Sequence, residues 1–266
     1  LAARLTSAEA LAIRWLEHKT PAELEIYHHA CAIGHAIIRH CFSRDVITPG
    51  VTPIDDMRWH YWQAVHDLGL TVSFPPFFVR RRAQAAVDYW GEDDRIIRPG
   101  DMLHCDVGVK YLRMITDHQE LAYVLRPGET DAPAGLRAGL AQTNQLQDVF
   151  TSSWKEGLSG NEILNNALQT ARAQGIDRPR IYSHSLSFFL HEPGPLMGLP
   201  WEQEDCAGRG QVRMSYNTTY TVELSTNYLV PEWGDQDVRF GLEQDAAFLR
   251  SGIDYLDGRQ TAFHLL

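Results

Sequence analysis

The sequence has no uninterrupted apolar run of about 18 residues, so no segment reads as a membrane-spanning helix. Its opening, Leu1-Ala2-Ala3-Arg4-Leu5, leads into no apolar core of a signal peptide, and no Met precedes it. The expectation is therefore a trimmed or processed chain. Cysteine is scarce: Cys31, Cys41, Cys105 and Cys206 are the only four in 266 residues, and no two form a CxxC pair. That excludes a disulfide framework or zinc knuckle and leaves four ordinary thiols, buried or half-buried, best suited to a reducing compartment. A basic surplus is also lacking. Asp and Glu number 34 against 24 Lys and Arg, a net charge of −10, which argues against nucleic acid or an anionic membrane as the main partner. No Pro/Gly/Ser-rich linker divides the chain, and the only shift in composition is the stretch rich in Gly, Pro and acids from Glu192 to Gly210.

What is present is globular. Hydrophobic residues make up 44% and charged residues 22%, and a chain of this length buries about three quarters of its unfolded surface. Thr20-Pro21-Ala22-Glu23 opens a helix, with Thr20 as cap, Pro21 at the first helical position and Glu23 closing a capping box. Leu24, Tyr27, Cys31, Gly34, Ile38 and Cys41 form its apolar stripe to about Phe42. A second helix starts at Thr52-Pro53-Ile54-Asp55 and ends at Gly69, and a strand-like run, Leu70 to Phe74, follows. The same order recurs: a helix over about Ala134–Trp154, a capping box at Ser159 and Glu162, a helix closed by Gly175, and a strand from Arg180 to His184. Strand-rich sequence follows each half, Met102–Val124 and Gln211–Leu249. The expected fold class is α+β, with two pseudo-symmetric helix-helix-strand halves.

Acids and imidazoles then appear where β propensity does not ask for them. Asp106 sits in Leu103-His104-Cys105-Asp106-Val107-Gly108 and Asp117 in Met114-Ile115-Thr116-Asp117. A tight turn at Lys110-Tyr111-Leu112-Arg113 lets the two strands pair with both carboxylates on one face. Glu223 and Glu243 stand in further β runs, and His184 and His191 flank a loop ending in Glu192-Pro193. Buried unpaired anions are costly, so these acids need a cation, a proton or an arginine. Four carboxylates and one imidazole form a suitable ligand set for two divalent ions of the Mn, Fe, Co or Zn type, whose charge they balance.

These residues carry a resemblance. The order Asp106, eleven residues, Asp117, then His184, Glu223 and Glu243 resembles the pita-bread metallopeptidases: methionine aminopeptidase, aminopeptidase P and prolidase. Arg98-Pro99-Gly100-Asp101 through Asp106-Val107-Gly108, the stretch from His184 to His191-Glu192, and Val238-Arg239 with Glu243-Gln244-Asp245 are similar to that family's ligand strands. Thr20-Pro21-Ala22-Glu23 looks most like the aminopeptidase P and prolidase branch. The resemblance spans roughly Thr20 to Thr261. It implies a curved antiparallel sheet between the two halves, a catalytic domain over residues 20–266, and a lead-in over residues 1–19 that is either the remnant of an N-terminal domain or the start of a short member of the family. It also implies two divalent metal ions (Mn, Co or Zn, with Mn favoured) and a homodimer; the cytoplasmic location expected for the chain follows from its unpaired cysteines instead. Carried over residue by residue, Asp106, Asp117, His184, Glu223 and Glu243 are metal ligands, with Asp117 and Glu243 bridging. Glu223 is also the general base that activates a metal-bridging water or hydroxide, His191 steadies the scissile carbonyl, and Arg239 orients a ligand carboxylate from outside the ligand set. His104 and His118 are expected to sit beside the ligands or on the surface, and His28, His29, His35 and His40 to be ordinary helix residues.

The implied activity is hydrolysis of the amide bond after a peptide's first residue, with Xaa-Pro peptides among the substrates. The chain departs from the family pattern at Ser185 and Ser187, where glycines are usual, and at Glu223-Leu224-Ser225, where Glu-Pro-Gly is usual. No histidine occurs in the loop Phe77–Ala83, where proline-specific members carry one. The alternatives are a metal-dependent hydrolase of a small non-peptide C–N bond on the same scaffold, as in ectoine-hydrolase- or creatinase-like relatives, and a catalytically inactive peptide-binding module. Arg80-Arg81-Arg82 reads as a solvated face or as an attractor of an acidic substrate or a neighbouring subunit.

Overall fold

The computed structural model describes residues 4–266; Leu1, Ala2 and Ala3 of the lead-in lie outside the described residues. The first half carries helices α1 (Glu9–Glu17), α2 (Pro21–Cys41) and α3 (Met57–Asp67), strands β1 (Thr71–Val72) and β2 (Phe77–Arg81), helix α4 (Gln84–Trp90), and strands β3 (Met102–Val107), β4 (Val109–Tyr111), β5 (Met114–Ile115) and β6 (His118–Tyr123). The second half carries α5 (Ala134–Ser152) and α6 (Gly160–Ala173). Strands β7 (Arg180–Ile181), β8 (Ser183–His184), β9 (Leu196–Met197), β10 (Thr218–Thr221), β11 (Leu224–Val230) and β12 (Gln236–Leu242) follow, then β13 (Asp245–Leu249), β14 (Gly252–Tyr255) and β15 (His264–Leu265).

Both capping boxes form. The Thr20 hydroxyl accepts from the Glu23 N–H at 3.3 Å while Glu23 accepts from the Thr20 N–H at 2.7 Å, and Ser159 and Glu162 repeat the exchange. Gly69 and Gly175 turn the chain out of α3 and α6 in the left-handed region, at φ 71° and 86°. The order helix, helix, strand thus occurs twice, as α2, α3, β1 and as α5, α6, β7.

The single curved antiparallel sheet expected between the halves is not there. Among the described residues no sheet is curled or closed; the strands form five separate sheets, β1-β4-β5, β15-β6-β3-β2, β12-β11-β7, β10-β13-β14 and β8-β9. The β15–β6 pairing is parallel. The reason lies in interrupted ladders. β10 pairs β13 as far as Thr221↔Asp245, and β11 pairs β12 from Leu224↔Leu242, so the ladder lapses at Glu223 and Glu243. β3 likewise stops before Gly108, where a side chain would overlap the Thr116 carbonyl. The strand expected from Arg180 to His184 divides at Tyr182 into β7 and β8, which belong to different sheets.

Alternation along β3 sets the position of the site. Leu103, Cys105 and Val107 pack into the core with Ile38, Met57 and Tyr61, while Met102, His104 and Asp106 take the opposite face. A second core joins α5 and α6 through Phe150, Ile163 and Leu164, and a third places Leu136 and Phe240 against Tyr123 between the halves. All four cysteines are free and buried.

Candidate metal centre

Asp106 projects from β3 and is paired in register with Gln119 of β6. Asp117 lies in the break between β5 and β6, after a turn at which Leu112 and Arg113 adopt φ 48° and 72°. That turn is the one expected from the sequence. Glu223 and Glu243 lie in the facing breaks of the second half, so Asp117, Glu223 and Glu243 are not in strand interiors as the sequence reading had them. A strand break frees a side chain from the alternation of the pleat and lets it be aimed at a common point. His184 ends the short β8, its N–H donating to Thr221 Oγ1 at 3.3 Å.

These groups converge. One ligand atom from each of Asp117, His184 and Glu243 lies within 4.8 Å of the others, all three residues being buried. His184 Nε2 stands 3.9 Å from Asp117 Oδ2. Gln119 Nε2 donates to Glu223 Oε1 at 2.9 Å and to Glu243 Oε2 at 2.7 Å, and the backbones of Gln119 and Glu243 exchange hydrogen bonds at 3.0 and 3.1 Å. His104 Nε2 completes the chain at 3.0 Å from Gln119 Oε1. With the Gln119 amide nitrogen committed to two carboxylates, its oxygen must accept, and His104 carries its proton on Nε2.

Electrostatics show what the donor set lacks. Burial pushes Asp106 up to about 6. Burial, followed by the nearby Asp106 carboxylate, pushes Glu223 up to about 8. Asp117 and Glu243 rise well above the ordinary range through burial first; the carboxylates of Asp106 and Glu223 then push Asp117 up, and those of Asp117 and Glu223 push Glu243 up. Burial, with His191 second, pushes His184 down to about 3 and so favours the neutral, ligand-competent imidazole. Among the described residues, Asp117 Oδ1 and Glu243 Oε1 are buried with no hydrogen-bond partner. Orphaned carboxylate oxygens facing a neutral imidazole nitrogen are the donor set that a transition-metal dication satisfies, so these residues fit the metal.

A second group of potential ligands, Cys31, His118 and Asp245, lies beneath the first. Asp245 Oδ2 accepts from the Asp117 N–H at 3.1 Å and faces Cys31 Sγ at 3.6 Å, so it also braces Asp117 from behind. His104 and His118, expected beside the ligands or on the surface, are both buried rather than on the surface: His104 adjoins the carboxylates through Gln119, and His118 lies 3.8 Å from Asp245 and stacks on the buried His35 at 4.3 Å.

His191 is exposed at the mouth. Its ring lies 4.4 Å from that of His184, and its Nε2 is 3.1 Å from the Tyr182 hydroxyl. Arg239 makes no hydrogen bond or ion pair with Glu223 or Glu243 among the described residues; Gln119, which the sequence reading did not single out, makes those bonds. The available signal was its place two residues after Asp117, in the strand-rich run that follows it. Phe77–Arg81, read as loop, is strand β2, and Arg82 is not solvated: it is buried, with Nε at 2.5 Å from Asp101 Oδ1 and Nη1 at 2.8 Å from Asp94 Oδ2.

A buried cluster of carboxylates and an imidazole, drawn from both helix-helix-strand halves, is the candidate metal site. Residues 25–246 match metallopeptidase family M24, and the chain belongs to that family. Among solved structures it is similar to the X-Pro aminopeptidase from Thermotoga maritima MSB8, with TM-score 0.73 and 17% identity over 96% of this chain and 66% of that one. It is similar also to a dipeptidase from Pyrococcus horikoshii OT3 (TM-score 0.68, 18% identity, 97% of this chain and 65% of that one). A third is the Xaa-Pro dipeptidase from Bacillus anthracis (TM-score 0.69, 19% identity, 98% and 67%). The aminopeptidase P and prolidase branch read from the sequence is the one these relatives represent. The chain spans about two thirds of their length, and at such identities the likeness is one of fold. No curated protein sequence matches the chain. Among the described residues no helix is long and apolar enough to cross a membrane.

Proposed function

We propose that the chain is a dinuclear metal-dependent aminopeptidase or dipeptidase that hydrolyses the amide bond after a peptide's N-terminal residue. The observation that carries this reading is the buried convergence of Asp117, His184 and Glu243 with carboxylate oxygens left unpartnered. Asp106, Asp117, His184, Glu223 and Glu243 would hold two divalent ions, with Asp117 and Glu243 shared between them. Bound there, the ions would supply Lewis-acid polarisation of the scissile carbonyl and a lowered pKa for water. A carboxylate-rich set with one imidazole favours Mn²⁺ among the candidates.

The chain's own residues do the rest. Gln119 holds Glu223 and Glu243 in place through one amide group. Glu223, held by that single bond on its Oε1, keeps the second oxygen for taking the proton from the attacking water and passing it to the leaving amine. His191 would donate towards the carbonyl oxygen as it gains charge, a role supported by its exposure and by its ring lying 4.4 Å from that of His184; with the Tyr182 hydroxyl on Nε2, the donating nitrogen would be Nδ1. Residues 20–266 would form the catalytic domain and residues 1–19 a lead-in. The homodimer and the cytoplasmic location belong to the same reading, the latter supported by four free thiols.

The test is a panel of dipeptides and tripeptides, with and without proline at the second position, assayed with added Mn²⁺ and accompanied by elemental analysis. Release of the first residue with close to two ions per chain is expected. A protein that takes up no metal after Mn²⁺ or Co²⁺ loading would overturn the mechanism. Cleavage confined to non-peptide amides would move the assignment to a small C–N bond hydrolase.

A further inference from the structure

Behind the candidate ligands lies a second donor cluster that the chemistry above does not use. Cys31 comes from the inward stripe of α2, His118 opens β6 and Asp245 opens β13. One ligand atom from each lies within 4.8 Å of the others, and all three residues are fully buried. Tyr27, Met114, Leu186, Ala247 and Leu256 form an apolar shell with Cys31. Gly34, one turn further along α2, makes room for the imidazole: a Cβ there would stand 3.3 Å from His118 Cε1 and Nδ1.

Hydrogen bonding leaves this cluster unfinished. Among the described residues, neither ring nitrogen of His118 has a hydrogen-bond partner, and Asp245 Oδ1 has none. A neutral imidazole carries one N–H and one bare nitrogen, so a donor and an acceptor both go unanswered inside the core. His35 stacks on His118 without answering it, since its own Nδ1 is bonded to Asp257 at 2.9 Å. The distances instead suit a cation. At zinc bond lengths of about 2.0–2.3 Å, neighbouring donors of a tetrahedron stand about 3.3–3.5 Å apart. Asp245 Oδ2 is 3.6 Å from Cys31 Sγ and 3.8 Å from His118 Nε2, so both edges lie within about half an ångström of that geometry.

We propose that Cys31, His118 and Asp245 bind a Zn²⁺ ion, a further ion of the chain distinct from those of the dinuclear centre. The thiol proton passes to solvent as the chain folds around the ion. Thiolate and carboxylate then balance the dication, the imidazole stays neutral, and the unpartnered Asp245 Oδ1 supplies the fourth donor. A thiolate selects zinc over manganese, whereas the carboxylate-rich centre in front favours manganese, so the two sites sort the two metals. The ion ties α2 and β6 of the first half to β13 of the second. Asp245 Oδ2 also accepts the Asp117 N–H at 3.1 Å, so the ion steadies the backbone of a candidate shared ligand. The site goes beyond the peptidase reading and does not depend on it.

The experiment is absorption spectroscopy with elemental analysis on the full chain produced with Co²⁺ in place of zinc, so that the ion is present during folding. Thiolate bound to Co²⁺ gives an intense near-ultraviolet charge-transfer band that carboxylate and imidazole ligands do not. Wild type should show the band with close to three ions per chain. Cys31→Ala and Cys31→Ser should lose the band and one ion while circular dichroism stays native. Cys206→Ala, which removes the most exposed of the four thiols, should keep both. Zinc-edge X-ray absorption of wild type produced with Mn²⁺ and Zn²⁺ together needs no variant, and should show a sulfur neighbour at about 2.3 Å. Absence of the band from wild type, its persistence in the Cys31 variants, its loss in Cys206→Ala, or a zinc shell of nitrogen and oxygen alone would overturn the site. A Cys31-dependent band with only one ion per chain would uphold it and overturn the dinuclear centre instead.

Discussion

Replacing Gln119 by methionine tests how the carboxylates are held. Methionine is unbranched and of similar length, and the backbone exchange between residues 119 and 243 needs no side chain, so the strand pairing should survive. What is lost is the amide that donates to Glu223 at 2.9 Å and to Glu243 at 2.7 Å. Hydrogen bonds to charged groups contribute about 1.5–3 kcal/mol each, but two bonds from one amide to carboxylates that also bind metal do not add. Loss of a partner that orients ligands lowers metal affinity or activity about 10–100-fold, equivalent to about 1.4–2.7 kcal/mol. His104 Nε2, buried, also loses its acceptor at 3.0 Å, at a cost of about 1–3 kcal/mol to folding. The variant should therefore melt several degrees lower and bind Mn²⁺ 10–100-fold more weakly by calorimetry, with turnover falling in step. Metal affinity and turnover both within threefold of wild type, in a protein whose melting temperature has dropped, would show that Gln119 only supports the fold.

Asp117→Ala and Glu243→Ala should each abolish turnover and lower bound metal below two ions per chain, while circular dichroism stays native; a variant that keeps most of its rate would refute the shared-ligand role. Glu17 carries a folded pKa of about 7, raised from 4.5 by burial and then by Glu192. The folded state thus holds the extra proton between those values, and stability falls as pH rises through that window, by about 3 kcal/mol in all. Glu17→Gln should match wild type near pH 4 and melt higher at pH 8; equal melting at pH 8 would refute the shift. Gly139→Ala would drive a methyl group into the Phe240 ring between α5 and β12. Overpacking of this kind costs about 1–3 kcal/mol, and thermal melting should show it as a drop of several degrees.

What could be read from the chain alone divides by range. The helices were legible because their signals are local: Thr20 with Glu23 and Ser159 with Glu162 act over three residues, and both boxes form. The contacts that shape the site are not local. Arg82 looked solvated because its partners, Asp94 and Asp101, are 12 and 19 residues away. Lys19, in the lead-in, forms a fully buried ion pair at 3.1 Å with Glu192, 173 residues on and next to His191. Nothing in the residues around Lys19 could announce that.

The sheet is the more instructive miss. Glu223 drew attention because an acid has no propensity reason to stand in a β run, and the same fact bears on whether the run can continue. A carboxylate in a continuous ladder must take the face its register assigns, with apolar neighbours above and below. The protein instead ends one ladder at Thr221↔Asp245 and starts another at Leu224↔Leu242, so Glu223 and Glu243 sit in the gap between them. Val222 N–H still reaches the Gln244 carbonyl at 2.7 Å, so the backbone keeps a hydrogen bond across that gap while the side chains are freed to turn inward. Asp106 needed no such break, since its register already faces Gln119. An out-of-place acid is therefore evidence for two things at once, a candidate ligand and a discontinuity in its strand. Expecting one continuous curved sheet used the first and overlooked the second.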